Sequence, residues 1–274
     1  MRMAFTKMHG LGNDFAVFDV PAGAPPPAEQ LRRLADRHTG IGFDQALILQ
    51  PPAHAGTAVF YRIFNSDGLE VEQCGNGARC IAALLAARGL ARDGAVTLDS
   101  PAGPIRARIQ SDGQISLDMG PVRFDPAALP FDAPAEADRY RIEAGEAVEI
   151  GAVSIGNPHA VLAVESLESA PVARLGPAIE RHERFPRRVN VGFMQVLDRT
   201  HIRLRVHERG AGETLACGTG ACAAVAVGRR WGLLDPAVRV ATRGGELHVR
   251  WTGPGQSIWL TGPAEIAFEG HIEL

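Results

Sequence analysis

The chain repeats itself, and that limits its fold more than anything else in it. E-V-E-Q-C-G-N-G-A at 70–78 and E-T-L-A-C-G-T-G-A at 213–221 share E-x-x-x-C-G-x-G-A, offset by 143 (217 minus 74 for the cysteines). The same spacing recurs. G-N-D-F-A-V at 12–17 answers G-N-P-H-A-V at 156–161, offset by 144 (157 minus 13). Y-R-I-F at 61–64 answers L-R-V-H at 204–207, offset by 143 (204 minus 61), and G-P at 120–121 answers G-P at 262–263, offset by 142 (262 minus 120). Registers that keep one order and nearly one offset mark a tandem duplication. The boundary is predicted within 125–138, rich in Pro, Ala and acid and without periodicity, and a second loop is read at 21–27, P-A-G-A-P-P-P.

Each half reads mostly as strand. Short apolar or alternating runs bounded by turn residues lie at 58–64, 96–98, 105–109 and 115–119, with counterparts at 202–206, 238–241, 247–251 and 258–260. One segment per half reads as helix, 77–88 and 220–231, and little else does. Both segments are apolar nearly all round and rich in alanine, the composition of a helix buried on every side and closely approached by its neighbours. The expected fold class is α+β: two pseudo-symmetric halves, each a strand-rich, barrel-like sheet wrapped around a central buried helix.

Composition removes several function classes. A net charge of -3 provides no basic footprint for nucleic acid and no polybasic stripe for a membrane. The N-terminal ten residues lack the apolar core and cleavage site of a secretory signal, and the longest apolar runs, such as 80–87, are too short to span a bilayer. A cytoplasmic protein is expected. Four cysteines in 274 residues make no disulfide scaffold. They are clustered, Cys74 with Cys80 and Cys217 with Cys222, each cluster in a glycine-rich setting.

Each glycine-rich run precedes its buried helix, so Cys74 and Cys217 fall at helix N-termini. Exposed N–H groups and the positive dipole end favour an anion there, and a thiol so placed is expected to have a lowered pKa. The glycines allow close approach of a carboxylate. Two such helix ends together would hold a carboxylate and two activatable thiols. Four zinc ligands are the alternative, but the C-x5-C and C-x4-C spacings exceed those of most structural zinc pairs. Cys80 and Cys222 sit inside apolar helices, where cysteine is usually a small hydrophobe. A phosphate loop lacks the G-K-[ST] or G-x-G-x-x-G context. Inert buried thiols are a further alternative.

Five segments resemble the signatures of the diaminopimelate epimerase family: K-M-H-G-L-G-N-D-F at 7–15, N-S-D-G-L-E-V-E-Q-C-G-N-G-A-R-C at 65–80, G-N-P-H-A at 156–160, R-V-N-V-G at 188–192, and E-R-G-A-G-E-T-L-A-C-G-T-G-A-C at 208–222. Small departures are Ser66, where alanine is common, and Thr219, where serine is common. The resemblance implies an epimerase independent of pyridoxal phosphate and of any other cofactor. It would interconvert LL- and meso-2,6-diaminopimelate in lysine and peptidoglycan-precursor biosynthesis. Cys74 and Cys217 would act as acid and base on opposite faces of one α-carbon. Gly75, Asn76, Gly218 and Thr219 would cradle its carboxylate. Asn13, Gln45, Asn65, Asn157, Asn190, Glu208 and Arg209 would hold the substrate, and His159 and Glu208 would tune the cysteines. Taken alone, each asparagine reads as a turn residue and His159 as a loop histidine. The resemblance also implies halves of 1–117 plus 263–274 and of 118–262, and a homodimer for which Phe268 is a candidate contact. The competing readings are a two-cysteine proline or hydroxyproline racemase-epimerase of similar fold and, in another class, a thiol redox or metal-binding module.

Overall fold

The computed structural model describes residues 2–20, 23–71, 74–101 and 103–273. The start of the proline-rich loop at 21–27 and residues 72–73 of the first cysteine motif lie outside the described residues. The chain forms two compact units, Met1–Leu117 with Gly262–Leu274, and Asp118–Thr261.

In chain order the elements begin with β1 (Arg2–Gly10), β2 (Asn13–Asp19), α1 (Ala28–Ala35), β3 (Gln45–Gln50), β4 (Phe60–Asn65) and β5 (Glu70–Val71). Next come α2 (Gly75–Ala87), β6 (Ala95–Leu98), β7 (Ile105–Ile109) and β8 (Ile115–Pro121). The second unit contributes β9 (Tyr140–Glu143), β10 (Ala147–Ser154), β11 (Pro158–Ala163), α3 (Val172–Glu180), β12 (Asn190–Asp198) and β13 (His201–Glu208). It continues with β14 (Gly212–Thr214), α4 (Gly218–Arg230), β15 (Ala237–Thr242), β16 (Gly245–Arg250) and β17 (Ser257–Gly262), and β18 (Glu265–Glu273) belongs to the first unit.

The duplication is visible in the strand pairings. In the first unit, described residues form a sheet in the order β18-β1-β2-β3-β4-β5. There β1–β2 is antiparallel, β2–β3 parallel and β3–β4 antiparallel. In the second, β10–β11 is antiparallel, β11–β12 parallel and β12–β13 antiparallel. Each parallel pair needs a crossover, and a helix supplies it: α1 between β2 and β3, α3 between β11 and β12. These helices bury apolar faces on the outer side of their sheets. Leu31 and Leu34 of α1 pack with Phe18, Phe43 and Ile48, and Leu175 and Ile179 of α3 pack with Ile150, Val191 and Phe193.

The inner helices are the ones visible in the sequence. α2 packs against β1, β2, β6, β7 and β18, and α4 against β10, β11, β12, β13 and β16. Every residue of α4 from Gly220 to Gly228 is buried. Its small side chains permit this: a Cβ at Gly228 would lie 2.4 Å from Leu234 Cδ1. Each unit is therefore strand-rich around one buried helix, as expected. Two details differ. α2 and α4 begin two residues earlier than read, because Gly75-Asn76 and Gly218-Thr219 form their first turns. And α1 and α3 went unread: α1 is a single short amphipathic stretch, and α3 contains Pro177, which removes a ladder N–H and argues against a helix in sequence.

Candidate active site

In the first unit the β1–β2 connection is a two-residue turn, Leu11 (φ 57°) and Gly12 (φ 84°), between the paired residues Gly10 and Asn13. Two positive φ values are the signature of a type I′ hairpin, whose twist matches the strands it joins. That turn fixes Asn13 at the start of β2. Phe15 of β2 pairs with Gln45 of β3, and Gln45 with Asn65 of β4, so Asn13, Gln45 and Asn65 gather at one end of three neighbouring strands. Cys74 is the N-cap of α2 with extended backbone (φ -142°, ψ 111°). Its Sγ donates to Asn13 Oδ1 at 3.7 Å, and Asn76 Nδ2 donates to the same oxygen at 3.3 Å. Gln45 Nε2 donates to Asn65 Oδ1 at 2.8 Å. The other end of that amide, Gln45 Oε1, is buried without a partner among the described residues. A buried acceptor left open fits an incoming donor such as an ammonium group.

The second unit repeats the arrangement with different chemistry. His159 pairs with Asn190 and Val191 with His207, which sets Asn190 beside Glu208 at the end of β13. Asn157, His159, Asn190 and Glu208 thus stand where the first unit has Asn13, Phe15, Gln45 and Asn65. Cys217 is the N-cap of α4 (φ -120°, ψ 112°), and its Sγ accepts from Gly220 N at 3.4 Å. The thiol donates to Glu208 Oε2 at 3.1 Å and lies 3.6 Å from Thr219 Oγ1. Thr214 Oγ1 donates to the other Glu208 oxygen at 2.5 Å, fixing the carboxylate. Asn157 Nδ2 reaches Thr219 Oγ1 at 3.4 Å.

One expectation is overturned here. The helix N-terminus was expected to lower the thiol pKa, yet Cys217 is raised well above an ordinary thiol. Burial is the largest cause, followed by the charge of Glu208 and its hydrogen bond; together they outweigh the Gly220 N–H and Thr219. Cys217 is held as a thiol. His159 is also altered: burial and the nearby Arg209 push it down to about 3, so the ring is neutral. Its Nε2 lies 3.0 Å from Asn157 Oδ1, an oxygen that only accepts, so the proton resides on Nε2. Within its own unit His159 is bonded to Asn157 and not to a cysteine.

Asn190 accepts from Arg209 N at 3.0 Å and donates to Pro158 O at 3.1 Å, which shapes the 208–209 turn and leaves one amide N–H for a ligand. Arg209 is exposed and donates to Arg187 O at 3.2 Å. Gly75, Asn76, Gly218 and Thr219 form the first turns of their helices, where backbone N–H groups lack intrahelical partners. Phe268 is on the outermost strand β18, 51% exposed, edge-on to Phe5 at 6.0 Å. Three residues that hold this machinery were missed: Asp44, Arg79 and Glu180. Asp44 accepts from Asn13 Nδ2 at 3.1 Å, Arg79 donates to Asn76 Oδ1 at 2.8 Å, and Glu180 accepts from Gly210 N at 2.9 Å. Only Arg79 gave a signal, as a lone charge within an apolar helix.

A profile of the family "Diaminopimelate epimerase" matches residues 5–124 and 151–267. The diaminopimelate epimerase of Halorhodospira halophila (strain DSM 244 / SL1) is 55% identical over 274 residues, covering 99% of this chain and 96% of that one. That of Ectopseudomonas mendocina (strain ymp) is 52% identical over 276 residues, covering both chains fully (100% each). Among solved structures, a Bacillus anthracis phenazine biosynthesis protein of the PhzF family superposes with a TM-score of 0.72 at 18% identity over 100% of both chains. A hydroxyproline epimerase from Agrobacterium vitis superposes with a TM-score of 0.70 at 18% identity, covering 99% of this chain and 92% of that one. Likenesses at that identity establish the fold alone, whereas the profile and the full-length relatives establish more: the chain belongs to the diaminopimelate epimerase family.

Proposed function

We propose that the chain interconverts LL- and meso-2,6-diaminopimelate, removing the α-proton with one cysteine and returning it to the opposite face with the other. The observation that carries this reading is the paired chemistry of the two cysteine N-caps. Inversion by proton transfer requires one carrier on each face, one protonated and one not, and Cys217 is held as thiol by burial and by Glu208. In the direction where Cys217 delivers the proton, Cys74 is the base. In the reverse direction the roles exchange, and Glu208 must then give way to a thiolate at Cys217.

The α-proton is weakly acidic, so stabilising the negative charge that builds on the adjacent carboxylate is the main demand. We assign that to the first-turn N–H groups of Gly75, Asn76, Gly218 and Thr219. Asn13, Gln45, Asn65, Asn157, Asn190, Glu208 and Arg209 are assigned to substrate recognition. The open acceptor of Gln45 suits an ammonium, and the exposed guanidinium of Arg209 suits a distal carboxylate. A distal amino-acid end is what separates this substrate from proline or hydroxyproline, since buried polar groups reject a substrate that leaves them unpaired. His159, neutral and with its bare Nδ1 buried, is assigned to tuning a thiol through Asn157 or directly. No cofactor takes part.

The reaction serves lysine and peptidoglycan-precursor biosynthesis, in the cytoplasm. Among the described residues no helix is long and apolar enough to cross a membrane. We assign the working form as a homodimer with Phe268 in the contact; sedimentation of Phe268→Ala, expected to show monomer, tests it. The functional test is incubation of purified, reduced protein with LL-diaminopimelate in deuterated water without added cofactor. Deuterium at one α-carbon together with the meso isomer is expected. Racemisation of proline with no turnover of diaminopimelate would refute the assignment.

A further inference from the structure

We infer that Arg79 and Asp44 are positioning residues which together fix the direction of the Asn76 and Asn13 amides, and so hold an acceptor oxygen on the Cys74 sulphur. This rests on Cys74 being one of the two reacting thiols.

The argument begins with a buried cation. Arg79 is fully buried in α2, its Nε donating to Pro263 O at 3.2 Å and its Nη2 to Asn76 Oδ1 at 2.8 Å. The space it occupies is tight: a Cβ at Gly10 would lie 3.1 Å from that Nη2. Asn76 Nδ2 donates to Asn13 Oδ1 at 3.3 Å, and Asn13 Nδ2 donates to Asp44 Oδ2 at 3.1 Å. Asp44 is itself secured, by Arg37 Nη2 at 2.8 Å and by Asp14 N at 3.2 Å.

An amide has a donor end and an acceptor end, so a run of amides has two possible directions. Guanidinium groups only donate and carboxylates only accept. With Arg79 at one end and Asp44 at the other, only one direction satisfies every bond, and it runs from the cation to the anion. In that direction Asn13 presents oxygen to Cys74 Sγ, at 3.7 Å. An acceptor there favours the protonated thiol over the thiolate.

Comparison of the halves shows how particular this is. By the repeat, Arg79 corresponds to Cys222, and the counterpart of Glu208, the direct acceptor for Cys217, is Asn65. The second half biases its thiol with a carboxylate; the first does so with a neutral amide oriented by charges one and two residues away. The bias on Cys74 is therefore weaker, and it is withdrawn if Asn13 turns its amide to a ligand.

The two end charges are redundant: either alone keeps the direction. This separates the relay from ordinary through-space effects, which add. The test measures the pH midpoint of Cys74 alkylation by iodoacetamide, residue by residue from peptide masses, in wild type, Arg79→Met, Asp44→Asn and the double variant. No substrate is needed, so the outcome is independent of whether the epimerase assignment stands. The double variant is expected to fall by about one pH unit beyond the sum of the singles, the worth of one hydrogen bond to the thiol. Arg79→Lys with Asp44→Asn is expected to be additive, because lysine still only donates. If Met at 79 prevents folding, Arg79→Gln replaces it, since glutamine keeps polar contacts but accepts either direction. Additive shifts in every cycle, or a midpoint in the double variant above the sum, would overturn the relay.

Discussion

Replacing Glu208 by glutamine should convert Cys217 from a thiol that is hard to ionise into one that ionises more readily. The Sγ–Oε2 separation is 3.1 Å. Unit charges that far apart interact by about 5 kcal/mol at an effective dielectric of about 20. That is a ceiling, because the glutamine amide still offers a hydrogen bond and the carboxylate charge is shared with Thr214. A hydrogen bond to a charged group contributes about 1.5–3 kcal/mol, so the midpoint for Cys217 should fall by about 1–2 pH units. It should remain above that of an ordinary thiol, because burial, the largest cause of the rise, is unaffected. The assay is the pH dependence of Cys217 alkylation in substrate-free protein, read from its tryptic peptide. Turnover should drop in both directions, since Glu208 is also assigned to substrate binding, but the alkylation midpoint separates the two effects. An unchanged or higher midpoint would mean that the carboxylate does not govern the thiol, and the tuning role given to Glu208 would be refuted.

Gly220→Ala gains about 1 kcal/mol of helix propensity but places a Cβ 3.0 Å from Val206 Cγ2 and 3.2 Å from Cys217 Sγ; calorimetry should show a nearly unchanged Tm while kcat falls at least about tenfold through misplacement of the sulphur. Arg209→Lys should raise KM with little change in kcat, because an ammonium cannot make the two parallel bonds a guanidinium gives a carboxylate; an equal fall in kcat alone would remove Arg209 from ground-state binding. Cys80→Ala should retain activity and lose about 1–2 kcal/mol in urea unfolding, as expected of a small core cavity, since burial pushes that thiol up to about 12 and leaves it inert. Burial opposes ionisation of Asp14, but Arg37 and Lys7 hold its carboxyl well below the usual carboxylate range. Its contribution is thus present above the unfolded carboxylate pKa and lost as pH falls through the depressed folded value. Asp14→Asn should be less stable than wild type at neutral pH, with the difference vanishing in strong acid.

Much of this molecule can be read from its sequence because the repeat supplies a second opinion on every element. Cys74 and Cys217 identify each other as helix starts, and the all-apolar runs after them can only be buried helices. What stays hidden depends on tertiary context. No local signal separates a thiol lowered by a helix end from one raised by a carboxylate, since Glu208 lies nine positions before Cys217 and meets it only through the β13–β14 turn. Asp44 is an ordinary charged residue until β2 brings Asn13 to it, and Arg79, though conspicuous as a lone charge in an apolar helix, names no partner until α2 is in place. Asn190 reads as a ligand by resemblance, and that its amide also joins Pro158 O to Arg209 N is set by strand pairing that no local pattern announces.

The pairing of β1 with β18 has a consequence for how the chain is made. Translation delivers β1 before the second unit and its outer neighbour β18 after it, so until β18 arrives one edge of the first sheet has unpaired N–H and C=O groups, a template for wrong partners. The second unit is continuous in sequence, so its strands need no segment from elsewhere in the chain. The first must wait for β18, on the far side of the second unit, paying a loop-closure entropy before its sheet is finished. A released chain truncated before residue 265 would therefore keep every strand of the second unit but leave the β1 edge of the first sheet open, and it should be more prone to aggregation and proteolysis than the full chain.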